Sequence, residues 1–528
     1  MLPDARPRLK HRRFTSPLIE KHLADAALRM RDPELRTLFR NCWPNTLDTT
    51  IFDYDLDLKI TDHKLCRPRT WVITGDIPAC WLRDSSNQVI PYLSALSTPK
   101  DRSSPHWFAL YRLILGTLYA QAKCILHHPY SNAFIPPSST VIPGNTDKVH
   151  PSPPSNRLGE LRVWESKYEL DSLISFLDLS VKLAESSGRT DFLHCREWRD
   201  AVDLVVNVCR LQQRGTSEES AHLPTPWWGS EKNSHKTEGD PKAGKEQEEK
   251  CTPSGQHRRY TKPSSIYRYQ RDTNTASETR SLGGLGEPAR RCGLIKSAFR
   301  PSDDATVFQF SIPSNAFASV SFLRLSDILA SHTSTTTTSK EEESLALTST
   351  SLRKLGDEVQ EAVWQHGVVE VPSAAGPSKE RVFAYEVDGF GSFAIADDAN
   401  LPSLLSLPWL GFVEYTDPVY SATRKLVLSH RNKWFFTGKI GNGVGGMHIG
   451  SGFVWPMSII VRALTSDDDE EILDCIEQLK RTTAGTGFMH ESFHVDDSNN
   501  FTRSHFSWVN GLFGELCHHL LNTRPYLL

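Results

Sequence analysis

Five polar clusters separate the apolar, helix-like stretches of this chain, and two of them carry carboxyl groups that could transfer protons. In SAFRPSDDAT (297–306) Asp303 and Asp304 are adjacent, and in GTGFMHESFHVDD (485–497) Glu491 stands between two histidines. Two neighbouring carboxylates repel each other, so partial burial raises the pKa of at least one of them, as a general acid requires. An Asp pair after a proline is equally an ordinary turn or helix cap, and the residues alone leave both interpretations open.

The second of these clusters also matches a zinc-peptidase pattern, because HESFH (490–494) has the form H-E-x-x-H. In that motif two histidines one helical turn apart bind zinc, while the glutamate activates a water molecule. Such a site needs a sustained helix, but Gly485 and Gly487 precede the motif and a run of Asp, Ser and Asn follows it. We therefore expect an irregular loop that presents Glu491 as a carboxylate base, and the zinc peptidase is the less favoured alternative.

A third cluster, TGDIPACWLRDSSNQ (74–88), has the residue types of a sugar-binding site. Trp81, Arg83 and Asp84 lie within four residues of one another. A flat aromatic ring can pack against the face of a sugar, and charged side chains can form paired hydrogen bonds with neighbouring hydroxyl groups. The alternative is a capped helix start with an Arg–Asp ion pair.

The two remaining clusters are expected to shape the site rather than to react. Asp398 lies in the acidic stretch 385–412, most of whose carboxylates fit turns and a helix cap. The glycine-rich stretch 438–457 contains GNGVGG, which has neither the lysine of a phosphate-binding loop nor the strand–turn–helix context of a dinucleotide site. We reject nucleotide binding there and expect a closely packed loop that presents His448 to a pocket.

The elements that must hold these clusters are mainly helices. Apolar residues recur at helical spacing in four stretches, and further helices are predicted around 190–213, 315–331, 351–366, 402–428 and 452–480. The four stripes are Ile19, Leu23, Ala26 and Met30; Leu110, Ile114, Leu118, Ala122 and Ile125; Leu170, Leu173, Leu177 and Ala184; and Trp508, Leu512, Leu516 and Leu520. Alternating strand patterns are few and short, as in 382–387, so the sequence predicts an all-α fold.

One catalytic domain is predicted to span residues 1–528, because the helical pattern resumes after each of two polar stretches. Residues 229–292 are predicted to be a largely disordered insertion, since Gly229–Arg259 holds too few apolar residues to offset the entropy of the chain. Residues 331–345, SHTSTTTTSKEEESL, are predicted to form a low-complexity loop.

Charge and hydropathy exclude several classes of protein. The net charge is −3, and acids and bases are mixed along the chain, so we expect neither nucleic acid nor an anionic membrane as a partner. No run of 18 apolar residues predicts a membrane span. The start, MLPDARPRLKHRRFTS, lacks the apolar core of a signal peptide; the chain as written is expected in the cytosol, or in the secretory pathway if the true start lies upstream. The oligomeric state stays open.

Taken together, the clusters resemble glycoside hydrolase family 125, the exo-α-1,6-mannosidases, and its fungal branch in particular. The matching segments follow the family's order from about residue 74 to residue 516. They are TGDIPACWLRDSSNQ, KYELDSL, SAFRPSDDAT with IPSNAFA, YEVDGFG with DDANLPSLLSLPWLG, WPMSIIVRALTS, and GTGFMHESFHVDD with FTRSHFSWVNGLFGEL. The resemblance implies an (α/α)6 barrel, a six-hairpin toroid. It also implies hydrolysis of terminal α-linked mannose from glycans with inversion, without a metal or cofactor.

The resemblance also assigns roles to residues. The general acid falls on the Ser-Asp-Asp motif, where we choose Asp304 over Asp303, and the general base falls on Glu491. An inverting pair must leave room for a water molecule, so the two carboxyl groups are expected roughly 6.5–9.5 Å apart. Contacts with the substrate are expected from Trp81, Arg83, Asp84, Asp303, Asp398, His448 and His490. The alternative from the binding class is a barrel that holds mannosides without cleaving them.

Overall fold

The computed structural model describes residues 2–56, 59–61, 64–66, 68–98, 102–144, 146–220, 263–332, 340–373 and 376–528. Helices dominate these residues. In chain order they are α1 (Pro17–Arg29), α2 (Pro33–Cys42), α3 (Leu82–Val89), α4 (Leu93–Leu96), α5 (Pro105–His127), α6 (Leu170–Ser187), α7 (Arg196–Gln212), α8 (Thr216–Ser220), α9 (Ser281–Gly284), α10 (Ile312–His332), α11 (Lys340–His366), α12 (Pro418–Val427), α13 (Pro456–Leu464), α14 (Asp469–Arg481) and α15 (Ser507–Thr523).

The four apolar stripes of the sequence mark α1, α5, α6 and α15, and their apolar side chains are buried. Local signals explain where several helices begin. The Ser16 hydroxyl accepts a hydrogen bond from the Ile19 N–H at 3.3 Å, and Asp32 Oδ1 accepts one from the Glu34 N–H at 2.8 Å. A proline follows each of these caps, and its fixed φ suits the first helical position. The prediction of these helices is therefore confirmed.

Short strands also occur, so the fold is mainly helical with small sheets, and the prediction of an all-α fold was too narrow. The strands are β1 (Ile51–Asp55), β2 (Lys59–Thr61), β3 (Lys64–Cys66), β4 (Arg69–Val72), β5 (Cys80–Trp81), β6 (Ala133–Ile135), β7 (Lys148–His150), β8 (Arg162–Glu165), β9 (Arg268–Gln270), β10 (Phe310–Ser311), β11 (Val368–Pro372), β12 (Lys379–Phe383), β13 (Glu386–Val387), β14 (Phe393–Ala394), β15 (Phe435–Thr437), β16 (Asn442–Val444), β17 (Phe453–Val454), β18 (Ser492–His494) and β19 (Asp497–Thr502). Most are too short to show alternating hydrophobicity, which is why the sequence did not reveal them.

One of these sheets joins two of the polar clusters. In the order β17–β18–β19, Phe453 pairs with His494 and Ser492 pairs with Thr502, both in antiparallel register. The sheet therefore fixes the glycine-rich stretch against the segment that carries Glu491.

The helices pack around a large apolar core. Helix α10 lies against α11 and α6, α5 lies against α7, and α15 lies against α3 and α13. Trp43, Trp107, Trp198 and Trp508 are among the largest side chains that are fully buried. Leu528 is joined to the segment between α1 and α2, because its carbonyl accepts a hydrogen bond from the Arg31 N–H at 2.6 Å.

Part of the predicted disordered insertion is folded. Residues 263–292 contain β9 and α9, and Tyr267 and Tyr269 are buried among them. The Tyr267 ring stacks on Tyr130 at 5.8 Å between centroids, and Tyr269 meets Phe299 edge to face at 4.8 Å. Composition alone did not reveal these contacts because their partners lie far away in sequence. Residues 229–262 of that prediction lie outside the described part of the chain.

The low-complexity loop and one predicted helix also have different bounds in the structure. Residues 331–332 end α10 and residues 340–345 begin α11, while 333–339 lie outside the described residues. Of the helix predicted at 402–428, the segment Pro418–Val427 is helical. Before it, Asp397 accepts hydrogen bonds from the N–H groups of Leu404 and Leu405 at 2.8 and 3.0 Å, and these bonds hold the chain in turns. None of the described helices is long and apolar enough to cross a membrane.

Candidate active site

A cavity of about 250 Å³ opens where the polar clusters of the sequence meet. Its lining residues are Thr74, Ile77, Trp81, Arg83, Asp84, Trp164, Glu165, Lys167, Glu278, Pro301, Ser302, Asp303, Asn400, His448, Trp455, Glu491, Arg503, Phe506 and Trp508. Trp81, Trp455 and Phe506 directly precede α3, α13 and α15. The cavity therefore lies at the N-terminal ends of three helices, where the helix dipole favours negatively charged groups.

Arg83, in the first turn of α3, is buried among four carboxyl groups. Its Nη1 lies 2.7 Å from Glu169 Oε2 and 3.1 Å from Asp171 Oδ2. Its Nη2 lies 3.4 Å from both Asp84 Oδ2 and Asp303 Oδ1. Burial raises the pKa of Asp84 and of Asp171 to about 6 in each case, although Arg83 opposes the shift. The single positive charge of Arg83 thus neutralises only part of the negative charge of these four carboxyl groups.

Replacing this guanidinium is expected to destabilise the protein strongly. Arg83→Met is expected to lower the free energy of unfolding by about 3–5 kcal/mol at neutral pH, because it leaves buried carboxyl groups without their counter-charge. Chemical denaturation followed by tryptophan fluorescence measures the loss. The control is Arg324→Met, which removes the partly exposed partner of Glu185 and is expected to cost about 1 kcal/mol or less. Similar losses in both variants would contradict this role of Arg83.

Asp303 and Asp304 lie in a tight turn that sends their carboxyl groups to different places. The Arg300 N–H donates to the Asp304 carbonyl at 2.8 Å, and the Asp303 N–H donates to the Arg300 carbonyl at 2.9 Å. Asp303 has φ 66°, in the left-handed region that Asp tolerates better than most residues. Its side chain lines the cavity and is 22% exposed, whereas that of Asp304 is 0% exposed.

Asp304 instead faces His448. The His448 Nδ1 lies 3.5 Å from Asp304 Oδ1 in the wall of the cavity. Burial opposes a charge on this ring, but the contact with Asp304 and the nearby carboxyls of Asp303 and Glu491 raise the pKa of His448 to about 9. His448 is therefore an imidazolium cation at neutral pH.

The loop that carries His448 depends on close backbone packing at Gly445. The Gly445 N–H donates to the Trp434 carbonyl at 2.8 Å, and its carbonyl accepts from the Ala399 N–H at 3.0 Å. A Cβ atom at this position would lie 2.0 Å from the Phe453 carbonyl oxygen. The glycine-rich stretch thus lets two backbone segments approach each other behind the cavity.

Glu491 directly precedes β18 and faces the same cavity. Its Oε2 accepts a hydrogen bond from the Thr502 hydroxyl at 2.9 Å, and its Oε1 lies 3.4 Å from Arg503 Nη1. The side chain is 5% exposed. Each carboxyl oxygen therefore has a partner that orients it, and Arg503 is held in turn by Asp76.

The HESFH segment is not helical, although a helix would be needed to bind zinc. Residues 482–491 are turns, bends and irregular backbone, as we expected around Glu491, and residues 492–494 form β18, so no helix places His490 and His494 one turn apart. The His490 ring stacks on Phe501 at 3.8 Å, and its Nε2 bonds to the Thr483 carbonyl at 3.1 Å. Across the described ranges, no group of three His, Cys, Asp or Glu side chains could hold a metal ion. The geometry opposes a zinc peptidase.

The structure brings together most of the residues that the sequence singled out. Those in the cavity wall are Trp81, Arg83, Asp84, Asp303, His448 and Glu491. Asp398 lies beneath the wall, where its Oδ2 accepts a hydrogen bond from the Ser302 hydroxyl at 2.8 Å. Asp304 is also beneath the wall and His490 is buried behind it.

Much of the remaining wall was missed by sequence reasoning. The missed side chains include the aromatic residues Trp164, Trp455, Phe506 and Trp508 and the charged residues Glu165, Lys167, Glu278 and Arg503. Several directly precede a helix or lie in its first turn, which is a positional signal that a search for helix starts could have used. Glu278 had no such signal, because it lies in the stretch that was predicted to be disordered.

Comparison with known proteins adds independent findings. The family profile described as metal-independent alpha-mannosidase (GH125) matches residues 32–518. The chain is 40% identical over 535 residues to the meiotically up-regulated gene 157 protein of Schizosaccharomyces pombe, covering 100% of this chain and 90% of that protein. It also resembles a solved Streptococcus pneumoniae structure from a family of metal-independent alpha mannosidases, in a non-productive complex with α-1,6-mannobiose. That similarity has a TM-score of 0.75 and 30% identity, and covers 97% of this chain and 100% of the other.

Proposed function

Because this chain belongs to GH125, the metal-independent α-mannosidases, we propose that it releases terminal mannose from α-1,6-linked mannosides with inversion at the anomeric carbon. Membership makes it a glycoside hydrolase, as the motifs of the sequence predicted. The observation that carries the finer proposal is that Asp303 and Glu491, far apart in the chain, line one cavity. A pair of separated carboxyl groups is what inverting hydrolysis requires.

We assign the general acid to Asp303 in place of Asp304. A general acid must touch the glycosidic oxygen, and the Asp303 carboxyl reaches the cavity while that of Asp304 is covered. Asp303 protonates the glycosidic oxygen as the C–O bond breaks. Glu491 removes a proton from the water that attacks the opposite face of the sugar. The expected separation of the two carboxyls is roughly 6.5–9.5 Å.

The rest of the wall provides groups suited to a mannose ring. Trp81 and Trp455 offer apolar faces, while Arg83 and Asp84 offer a donor and an acceptor for neighbouring hydroxyls. The imidazolium of His448, whose pKa both carboxyls raise, adds a charged donor to the wall. These side chains support a subsite for the non-reducing-end mannose, and a glycan with terminal α-linked mannose as the substrate.

We also propose that the helices close into an (α/α)6 toroid within a single catalytic domain. The pairing of α10 with α11, α13 with α14 and α5 with α7 supports this arrangement. So does the position of the cavity, which gathers the N-terminal ends of α3, α13 and α15. A toroid of helical hairpins places such ends on one face.

Incubation of the protein with α-1,6-mannobiose tests the proposal. We expect mannose release that is unchanged by EDTA, with β-mannose as the first product seen by NMR before mutarotation. α-Mannose as the first product would contradict inversion. Binding without release would favour a mannoside-binding barrel. In a parallel incubation with a peptide substrate, cleavage that EDTA abolishes would favour the zinc peptidase.

A further inference from the structure

Asp303 has a carboxyl partner beneath the cavity wall. Glu169, the residue before α6, is 0% exposed at its side chain, and its carboxyl group donates a hydrogen bond to the Asp303 carboxylate. The Asn132 amide spans the pair, since its Nδ2 donates to Glu169 Oε1 at 3.1 Å and to Asp303 Oδ1 at 3.3 Å. A hydrogen bond between two carboxyl groups requires a proton, so the pair holds one proton in common.

The surroundings explain why Asp303 needs such a partner. Burial raises its pKa, but Arg83, the hydrogen bond from Glu169, and the cations Lys167 and His448 together hold the pKa of Asp303 below its usual range. Asp303 is therefore the ionised member of the pair at neutral pH, and it has no proton of its own to give. For Glu169 the balance is the opposite, because burial raises its pKa far above the usual range despite Arg83.

The pair is enclosed by charged groups of both signs from several elements. Those that face it are Arg83 and Asp84 of α3, Glu165 and Lys167 of the segment before α6, Asp171 of α6, and His448 of the glycine-rich loop. Lys167 is itself shared, because its Nζ lies 3.4 Å from both Glu165 Oε1 and Glu278 Oε1. Even with Arg271, whose Nη2 lies 2.7 Å from Glu165 Oε1, the acids in this enclosure outnumber the cations that can neutralise them, which favours retention of a proton.

We propose that Glu169 is a positioning residue that holds the catalytic proton jointly with Asp303; this rests on the proposed function. In the reacting form the proton has passed from Glu169 to Asp303. Glu169 is then the carboxylate, which Arg83 Nη1 and the Ser172 hydroxyl each stabilise at 2.7 Å. Asp303 gives the proton to the glycosidic oxygen, which also takes the electron pair of the breaking C–O bond. Both carboxyls are then ionised, and a solvent proton restores the pair after the products leave.

The test is Glu169→Gln, which preserves shape but cannot hold the proton. An acid works when protonated, so activity is lost as pH rises through its pKa. In the variant the acid proton can reside only on Asp303, whose pKa the cations hold low, and no longer on buried Glu169, whose pKa is high. We expect the alkaline limb of kcat/KM for α-1,6-mannobiose to move to lower pH by about one unit or more. A 2,4-dinitrophenyl α-mannoside, whose leaving group needs no proton, is expected to be cleaved at the wild-type rate with an unmoved limb.

The two substrates distinguish loss of the shared proton from a general loss of activity. Loss of charge on His448, whose pKa of about 9 falls on the same limb, would slow both substrates alike, and so would a misfolded site. The control Ser172→Ala removes a donor that stabilises ionised Glu169, so any shift of the limb is expected toward higher pH. If Glu169→Gln does not fold, Glu169→Asp, which withdraws the carboxyl by one methylene, is expected to shift the limb partway in the same direction.

The outcomes are distinct from failure of the proposed function. If the wild-type protein releases no mannose, the proposed function fails. If it releases β-mannose but the variants leave the alkaline limb in place, or slow both substrates equally, Glu169 does not hold the proton and the present inference is overturned.

Discussion

Glu491→Gln is expected to lower kcat for α-1,6-mannobiose by about 10³-fold, within the range for loss of a general acid or base. The amide keeps the size of the side chain but cannot accept a proton from the attacking water. Folding is expected to persist, because Thr502 and Arg503 contact this group from the edge of the cavity and the apolar core is untouched. Steady-state kinetics measures the loss, and calorimetric titration with the same disaccharide is expected to show retained binding.

The control for this variant is Thr502→Val, which removes a hydroxyl that orients the Glu491 carboxyl at 2.9 Å. It leaves the base in place, so the expected loss is about tenfold or less. Glu491→Ala offers a second readout, because azide can enter in place of water and is expected to give β-mannosyl azide from an activated α-mannoside. Retained activity in Glu491→Gln would remove the assignment of the base.

Asp303→Asn is expected to abolish most cleavage of α-1,6-mannobiose, again by about 10³-fold, while largely sparing the 2,4-dinitrophenyl α-mannoside. The natural leaving group is a poor one and needs a proton, whereas dinitrophenolate leaves without it. The ratio of kcat/KM for the two substrates therefore isolates the acid step. An equal loss on both would mean that Asp303 binds the sugar without protonating the leaving group.

Asp304→Asn distinguishes the acid that the geometry favours from the one that the sequence favoured. Asp304 is covered and contacts His448, so the variant is expected to lower the pKa of His448 from about 9 toward its ordinary value. Both substrates should then slow together above that lower pKa. NMR titration of the imidazole checks the pKa. Selective loss of the mannobiose reaction in Asp304→Asn would restore Asp304 as the acid.

The sequence was most informative where one signal recurs many times. Helical stripes such as that of α5 repeat an apolar residue over several turns, and the structure buries all of them. The motifs of the sequence singled out Trp81, Arg83 and His448, and all three lie in one cavity wall in the structure. A motif names residues close together in the chain, so the family and several wall positions followed from it.

The choice between Asp303 and Asp304 could not be made in the same way. The two residues have the same chemistry and adjacent positions, and their separation depends on a left-handed backbone at Asp303, for which no local signal such as glycine exists. Glu169 was also hidden, because its role comes from meeting Arg83 and Asp303 in three dimensions. Tertiary contacts of this kind are not encoded in composition or spacing.

The distribution of the wall residues along the chain also bears on how the protein is synthesised. The first lies at Thr74 and the last at Trp508, in the final helix. A nascent chain emerging from the ribosome therefore cannot complete the cavity until residue 508 has been translated. Arg83 and its carboxyl neighbours precede Glu491 in the chain, so the segment that carries Glu491 is synthesised after them. Contacts between such distant segments close large loops and therefore form slowly. The carboxyl-rich cavity is thus expected to be incomplete in folding intermediates that chaperones bind.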